Sequence, residues 1–334
     1  MSMGGVDPPT DVRDTFYRTG NGGLTVTRYI LKRILLLIPI MLCVSFIIYF
    51  IIDLTPGDVV DVITDATVSE EDKAQLREEL GLNDPFFVRY FRYIGGFLRG
   101  DLGVSAVTNK NVFKTYMEKL PTTAFLAAAG TVVALLIAIP LGITAAVHQN
   151  TWRDSGSTVL GLLGLSMPNF WLGLLLIIAF SLKIKLFPSL YNGTLRGMVL
   201  PAITLGTGQA AIMMRTTRSS MLETIRQDYL RTIRAKGVPE KVVIRKHALK
   251  NALIPIVTVA GTNIGHALGG AVITESVFSM NGVGRLITDS VKYRDTEMVC
   301  GAIILTTLLS SVVMLIVDII YAFIDPTIKA RYSR

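Results

Sequence analysis

An all-α polytopic membrane protein with six transmembrane helices is the fold class this chain predicts, on three observations. Hydrophobic residues make up 51% of its 334 residues and charged ones 17%, with a mean hydropathy of +0.51, too apolar for a soluble domain of this length. Six runs carry no charged residue: 34–52, 120–147, 155–182, 197–214, 251–274 and 298–317. Each comes near the ~20 residues that a helix needs to cross the hydrocarbon core. The charge is concentrated between the fourth and fifth runs, where residues 215–250 hold ten Lys/Arg and three acids, +7 of the chain's net +8.

Taken in order, residues 1–27 are polar and rich in Gly, Pro, Asp and Thr, and read as a flexible cytoplasmic tail. They do not form a signal peptide, because the apolar run behind them is too long and no small-residue cleavage site follows. Residues 28–334 then form the membrane domain. Residues 53–119 are its long outer loop. Within it Ser69-Glu70-Glu71-Asp72 opens a helix that Gly81 closes. Asp84 as cap and Pro85 as first helical residue open another, strongly aromatic through Phe86, Phe87, Tyr90, Phe91 and Tyr93. That helix suits either the outer membrane interface or an external partner.

In the third run Pro168 predicts a kink. The fourth is the shortest and contains Pro201. In the fifth, Gly261, Gly265 and Gly269 stand four apart and form a smooth face for close packing on a span of this chain or of another subunit. Asn263 and His266 in the same run, with Gln209 in the fourth, are polar groups that either line a solute path or bond to neighbouring helices. Asp318, the lone carboxylate of the long apolar stretch that contains the last run, suits an ion pair at its cytoplasmic end.

Basic residues set the orientation. With both termini inside, the inner segments carry 19 Lys/Arg against 6 in the two short outer loops. The 8 in the long outer loop are exempt, since loops of that length translocate regardless of charge.

Inside the basic segment, Leu222, Ile225, Tyr229, Leu230 and Ile233 recur at helical spacing and make an apolar stripe between basic flanks. Ala235-Lys236-Gly237-Val238-Pro239 stops the helix, and a second one returns to the membrane. Pattern alone fits equally a basic loop lying on anionic lipid and an element presented sideways to a partner.

The stretch Asp228-Tyr229-Leu230-Arg231-Thr232-Ile233-Arg234-Ala235-Lys236-Gly237, followed by His247-Ala248-Leu249-Lys250-Asn251-Ala252-Leu253-Ile254-Pro255, resembles the coupling segment of ABC-importer permeases, most of all the oligopeptide/dipeptide/nickel branch. The superfamily pattern is Glu-Ala-Ala, three residues, Gly, nine residues, Ile-x-Leu-Pro. Here Gly237 is kept, Arg231-Thr232-Ile233 stands in the Glu-Ala-Ala place, and the Pro is displaced to Pro255. Further landmarks of that branch follow in order: Pro56-Gly57-Asp58, Gly100-Asp101-Leu102-Gly103, Ser166-Met167-Pro168-Asn169-Phe170-Trp171, Glu275-Ser276-Val277-Phe278, Gly282-Val283-Gly284-Arg285-Leu286 and Asp325-Pro326. Met280-Asn281 and Thr327 depart from the branch's usual residues.

The resemblance implies a type I ABC-importer permease fold, moving di- or oligopeptides across the bacterial cytoplasmic membrane by alternating access. Nickel or another small solute is the alternative within the family, and a stand-alone secondary transporter the alternative outside it. It implies a second homologous permease, two ATPase subunits or domains, and an external solute-binding protein. It also implies that Leu222, Glu223, Asp228, Tyr229, Arg231, Thr232, Arg234, Ala235, Lys236 and Gly237 dock on the ATPase, with Gly237-Val238-Pro239 as hinge.

The residues themselves offer no Gly-x-x-x-x-Gly-Lys-Ser/Thr loop, no His-Glu-x-x-His and no Gly-x-Ser-x-Gly. ATP and Mg are therefore expected on partner subunits, with no cofactor or metal in this chain. Two cysteines and three scattered histidines give no ligand spacing. The basic block, short and tied between spans, is a poor nucleic-acid surface.

Overall fold

The computed structural model describes residues 22–64 and 67–324. Among them the chain is helical apart from connecting turns and one isolated bridge between Val104 and Asn111. Among the described residues five helices are long and apolar enough to span a membrane, six if one bent pair of helices is counted as a single span. Helix α1 (Gly22–Leu54) begins inside the expected 1–27 tail, because a test based on uncharged residues misses a helix's polar first turns. The rest of that tail, and Asp325-Pro326 and Thr327, lie outside the described residues.

Three short helices follow at one end of the bundle: α2 (Val59–Ile63), α3 (Glu70–Glu79) and α4 (Phe86–Leu98). Ser69 caps α3 as expected, accepting from the Asp72 N–H at 3.1 Å, and Gly81 turns the chain at φ 65°. The start of α4 differs from the expectation. Pro85 is the cap and the helix starts at Phe86, with the Pro85 carbonyl accepting from the Val88 and Arg89 N–H groups. Asp84 pairs instead with Arg92. The aromatic face of α4 packs on α1, where Phe86 and Tyr90 meet Phe46 and Tyr49 edge to face. Arg77 of α3 bonds Asp58 and Asp61 at 2.6 Å each, bracing α3 against α2. Burial pushes the Asp58 carboxyl up, but the Arg77 hydrogen bond, the Asp61 and Val60 amides and the Arg77 charge outweigh it and hold it below the usual carboxylate value.

Two long helices, α5 (Val112–Val147) and α8 (Leu195–Ile225), form the centre. With 36 and 31 residues they run about 54 and 46 Å at 1.5 Å per residue, well past the ~30 Å of a hydrocarbon core. Gly130, Ala134, Ala138, Gly142 and Ala146 of α5 are all buried at four-residue spacing, and α8 lies in the groove they leave. A β-carbon at Gly206 of α8 would stand 2.5 Å from the Gly130 carbonyl oxygen, and one at Gly142 would stand 2.5 Å from Thr217 Cβ.

Between them in sequence, the third run does not merely kink. Helix α6 (Trp152–Ser166) and helix α7 (Asn169–Leu176), continued by a π-helical stretch Ile177–Lys183, meet at 95°. Met167 and Pro168 are extended and Pro168 caps α7, so the proline starts a new helix instead of bending one.

A short helix α10 (Glu240–Val242) passes through a π-helical stretch (Val243–Ala248) into α11 (Leu249–Gly270). Then come α12 (Val272–Val277), α13 (Val283–Lys292) and α14 (Thr296–Ile324). The glycine face of α11 packs on α14 of this same chain, with Gly261 against Val317, Gly265 against Met314, and the Ser310 hydroxyl donating to the Gly265 carbonyl at 3.2 Å. Opposite the basic segment, the fully buried Glu275 accepts from the Thr123 hydroxyl at 2.6 Å and the Arg285 N–H at 3.0 Å, tying α12 and α13 to α5.

Candidate functional site

The basic segment breaks differently from its periodicity. Helix α8 continues to Ile225, Arg226 and Gln227 turn the chain, and a separate helix α9 covers Asp228–Ala235. Leu222 and Glu223 therefore belong to the end of a span, not to the short helix expected to dock. The spacing of the apolar stripe is conserved across the turn, which hides the break from a periodicity argument.

Helix α9 has two unlike faces. Leu230 is fully buried, in a socket of Met221, Val243, Ile244, Ala248 and Ala252 closed by Ala146 at the end of α5, and Ile233 packs beside it. On the other side Asp228, Arg231, Thr232 and Ala235 stand at i, i+3, i+4 and i+7, and all are exposed. Arg231 and Asp228 approach to 3.7 Å, both almost fully exposed, so the pair leaves the face open.

Of the remaining expected docking residues, Tyr229 and Arg234 hold the helix in place. The Tyr229 hydroxyl accepts from the Asn251 amide at 2.8 Å, which fastens α9 to α11. Arg234 reaches across the turn to Glu240 with two bonds of 3.1 and 3.0 Å, and the carboxylate's hydrogen bond raises the guanidinium's pKa further. Between them Gly237 sits at φ 77°, the left-handed region, in open space. Lys236, the C-terminal cap, is exposed.

A second loop supports the segment and was not singled out in the sequence. Asp154 at the start of α6 takes two bonds from Arg218 of α8, at 2.8 and 2.7 Å, and Arg226 donates to Gln149 at 3.2 Å. A lone carboxylate near the only basic residue of that loop was the available signal. The socket and these bonds join α5, α6, α8, α9 and α11 at one end of the bundle. A push on α9 reaches several spans at once.

The polar residues within the spans separate. Gln209 lies 3.4 Å from the Thr131 hydroxyl of α5, an interhelical position. Asn263 is buried, with no partner for its amide nitrogen among the described residues. His266 is exposed in a groove of about 760 Å³ between α1, α11 and α14, beside Gly265, Gly269 and Ser311. Gly261, Gly265 and Gly269 serve helix packing.

This helical segment is charged on its exposed face, set between two spans and packed or bonded to several of them. The family model described as binding-protein-dependent transport system inner membrane component matches residues 138–330, which include this whole segment. The chain belongs to that family. The family's N-terminal model matches residues 26–127.

Relatives of this transport component match over about nine tenths of the chain. The oligopeptide transport system permease protein AppB of Bacillus subtilis (strain 168) is 38% identical over 312 residues, covering 90% of this chain and 99% of its own. The glutathione transport system permease protein GsiC of Salmonella typhimurium is 38% identical over 303 residues, covering 91% and 99%. The dipeptide transport system permease protein DppB of Alkalihalophilus pseudofirmus is 38% identical over 329 residues, covering 90% and 99%. In fold, the chain is similar to a solved inward-facing conformation of the MetNI methionine ABC transporter, with a TM-score of 0.53 and 18% identity over 63% of this chain and 96% of that one. The type I importer permease fold is thereby established. The chain is a multi-pass inner-membrane transport subunit that works with ATPase and substrate-binding partners, the ATPase being a separate subunit.

Proposed function

We propose that this chain is the permease subunit of an ATP-driven importer that carries di- or oligopeptides inward by alternating access, with α9 as its coupling helix. The exposed face Asp228, Arg231, Thr232 and Ala235, anchored from behind by Leu230, is the observation that carries the reading. A helix held by one side and bare on the other receives a partner's cleft. The complex contains a second homologous permease, two ATPase subunits or domains that bind ATP and Mg, and an external solute-binding protein. This chain carries no cofactor. Both termini and the coupling segment 215–250 face the cytoplasm, and the loop 53–119 faces outward, in keeping with the basic residues of the inner segments.

ATP binding draws the two ATPase domains together and moves α9. The socket under Leu230 passes that motion to α5, α8 and α11, and the spans rock between two arrangements. Peptide as solute rests on the oligopeptide, dipeptide and glutathione permeases to which the chain is similar.

The double variant Arg231→Glu with Ala235→Trp tests this reading. The tagged wild-type chain is expected to bring down an ATPase and a second six-span protein, and vesicles containing it to take up labelled alanyl-alanine with ATP. The variant should insert normally yet lose both the ATPase and uptake. Unchanged co-purification and uptake would remove α9 from the docking role.

A further inference from the structure

The end of the bundle opposite α9 carries a cleft that the coupling segment does not use. Its larger lobe encloses about 370 Å³, and a smaller lobe of about 220 Å³ shares Tyr49, Leu82, Arg89 and Glu297 with it. Three stretches distant in sequence converge there: the end of α1 with the turn after it, α4, and the turn leading into α14.

The walls carry both signs of charge, but two groups stand apart from the rest. Asp53 and Arg89 are paired with each other, and Asp58 with Arg77. Among the described residues, neither the Arg294 guanidinium nor the Glu297 carboxylate enters an ion pair or side-chain hydrogen bond with another residue, and both line the larger lobe.

The backbone is arranged to put Arg294 there. Its φ of 55° lies in the left-handed region, costly for a residue with a β-carbon. Its guanidinium rests on Gly57, itself at φ 87°, where any β-carbon would collide with it. One residue accepts strain and the other gives up its side chain, and the outcome is a cation held at a cavity wall three residues before an anion. Salt-bridge formation would have been the simple way to satisfy both, and it is not taken.

We propose that this cleft binds a compact zwitterion, its anionic oxygens on Arg294 and its ammonium against Glu297. A guanidinium takes a carboxylate or phosphate through paired N–H donors, and a carboxylate partly withdrawn from water favours an ammonium. Two sources share this chemistry: a short peptide with free ends, and the head of an aminophospholipid. The proposal stands apart from the importer reading, since co-purification of an ATPase tests the latter and equilibrium binding tests this one.

The full chain, purified with its accompanying subunits, would be titrated calorimetrically with alanyl-alanine and with its N-acetylated, amidated form. In parallel, native mass spectrometry would follow retention of phosphatidylethanolamine against phosphatidylglycerol. Glu297→Gln and Arg294→Gln should each weaken binding at least tenfold. Arg294→Gly separates binding from folding, because it relieves the left-handed strain: its Tm should hold or rise while binding falls equally.

Binding of the free dipeptide, lost on blocking both ends and sensitive to these variants, identifies a peptide site. Selective retention of phosphatidylethanolamine with the same sensitivity identifies a lipid site. Binding of neither ligand, binding indifferent to all three variants, or a fall in the Tm of Arg294→Gly would overturn the proposal.

Discussion

The α5–α8 pair and the short helix α9 are held by opposite means. Along α5 and α8 the contact is a long seam in which Gly and Ala of α5 receive Leu205, Met213, Met214 and Thr217 of α8, and at Gly130 and Gly206 the backbones themselves approach. Helix α9 is held by one fully buried leucine, a tyrosine hydroxyl and an arginine–glutamate pair across a glycine turn. A seam of the first kind behaves as one rigid body. A joint of the second kind can settle and be displaced, while still pulling on what surrounds its socket. The contrast suits a lever fixed to a frame, and it can be broken from either side.

The largest effect should come from the seam. A valine at Gly206 would drive its β-carbon against the Gly130 carbonyl, with Val133 also in the way. Overpacked cores typically lose about 1–3 kcal/mol, and this site belongs at or above the top of that range, because the obstacle is backbone instead of a rotamer. Gly206→Val is expected to lower the amount of folded protein in the membrane severely, read by immunoblot and by the thermal midpoint of the extracted chain. A variant with wild-type abundance and midpoint would show that the seam yields, and the frame would lose its rigidity.

The Leu230 socket should give a smaller and more local loss. Leu230→Ala removes a fully buried side chain, at about 2 kcal/mol, the low end for such truncations, since a short helix at the end of the bundle can collapse onto the space. The spans should remain folded with an unchanged midpoint, while hydrogen exchange across 228–235 accelerates and ATP-driven uptake falls by about tenfold or more. A large drop in the midpoint instead would make α9 part of the frame.

The two regions were also unequally legible in the sequence. Five of the six runs became single long helices, because length and absence of charge are what a hydrocarbon core selects. The third does bend at Pro168 as its sequence predicts, but by a full break, because Pro168 caps a new helix, a choice made by the backbone of Met167 and Pro168 and not by hydropathy. The glycine spacing of α11 announced a close contact but not its partner, which is α14. The same spacing of small residues in α5, at 130, 134, 138, 142 and 146, is harder to see because most of them are alanines within an apolar run. In the coupling segment, Gly237 announced its own turn. The division between α8 and α9 was invisible, as Arg226 and Gln227 are no helix breakers by type and the apolar stripe keeps its phase across them. Roles within the site divided for the same reason. Periodicity groups residues by face, whereas Tyr229 and Arg234 also bond to Asn251 and Glu240, which lie outside their own helix.

The smallest expected effect tests the turn between the two helices of the segment. At φ 77° Gly237 has nothing within 4 Å of where a β-carbon would stand, so substitution there meets backbone strain and no collision. The left-handed conformation costs most residues roughly 1–2 kcal/mol, more when the side chain is β-branched, and least for asparagine. Gly237→Val should therefore leave insertion and abundance unchanged and impair uptake, by loosening the Arg234–Glu240 closure that depends on the turn. Gly237→Asn should retain most of the uptake. Equal activity of the two variants would mean that the conformation of the turn does not matter to coupling. The socket under Leu230 would then have to set the orientation of α9 alone.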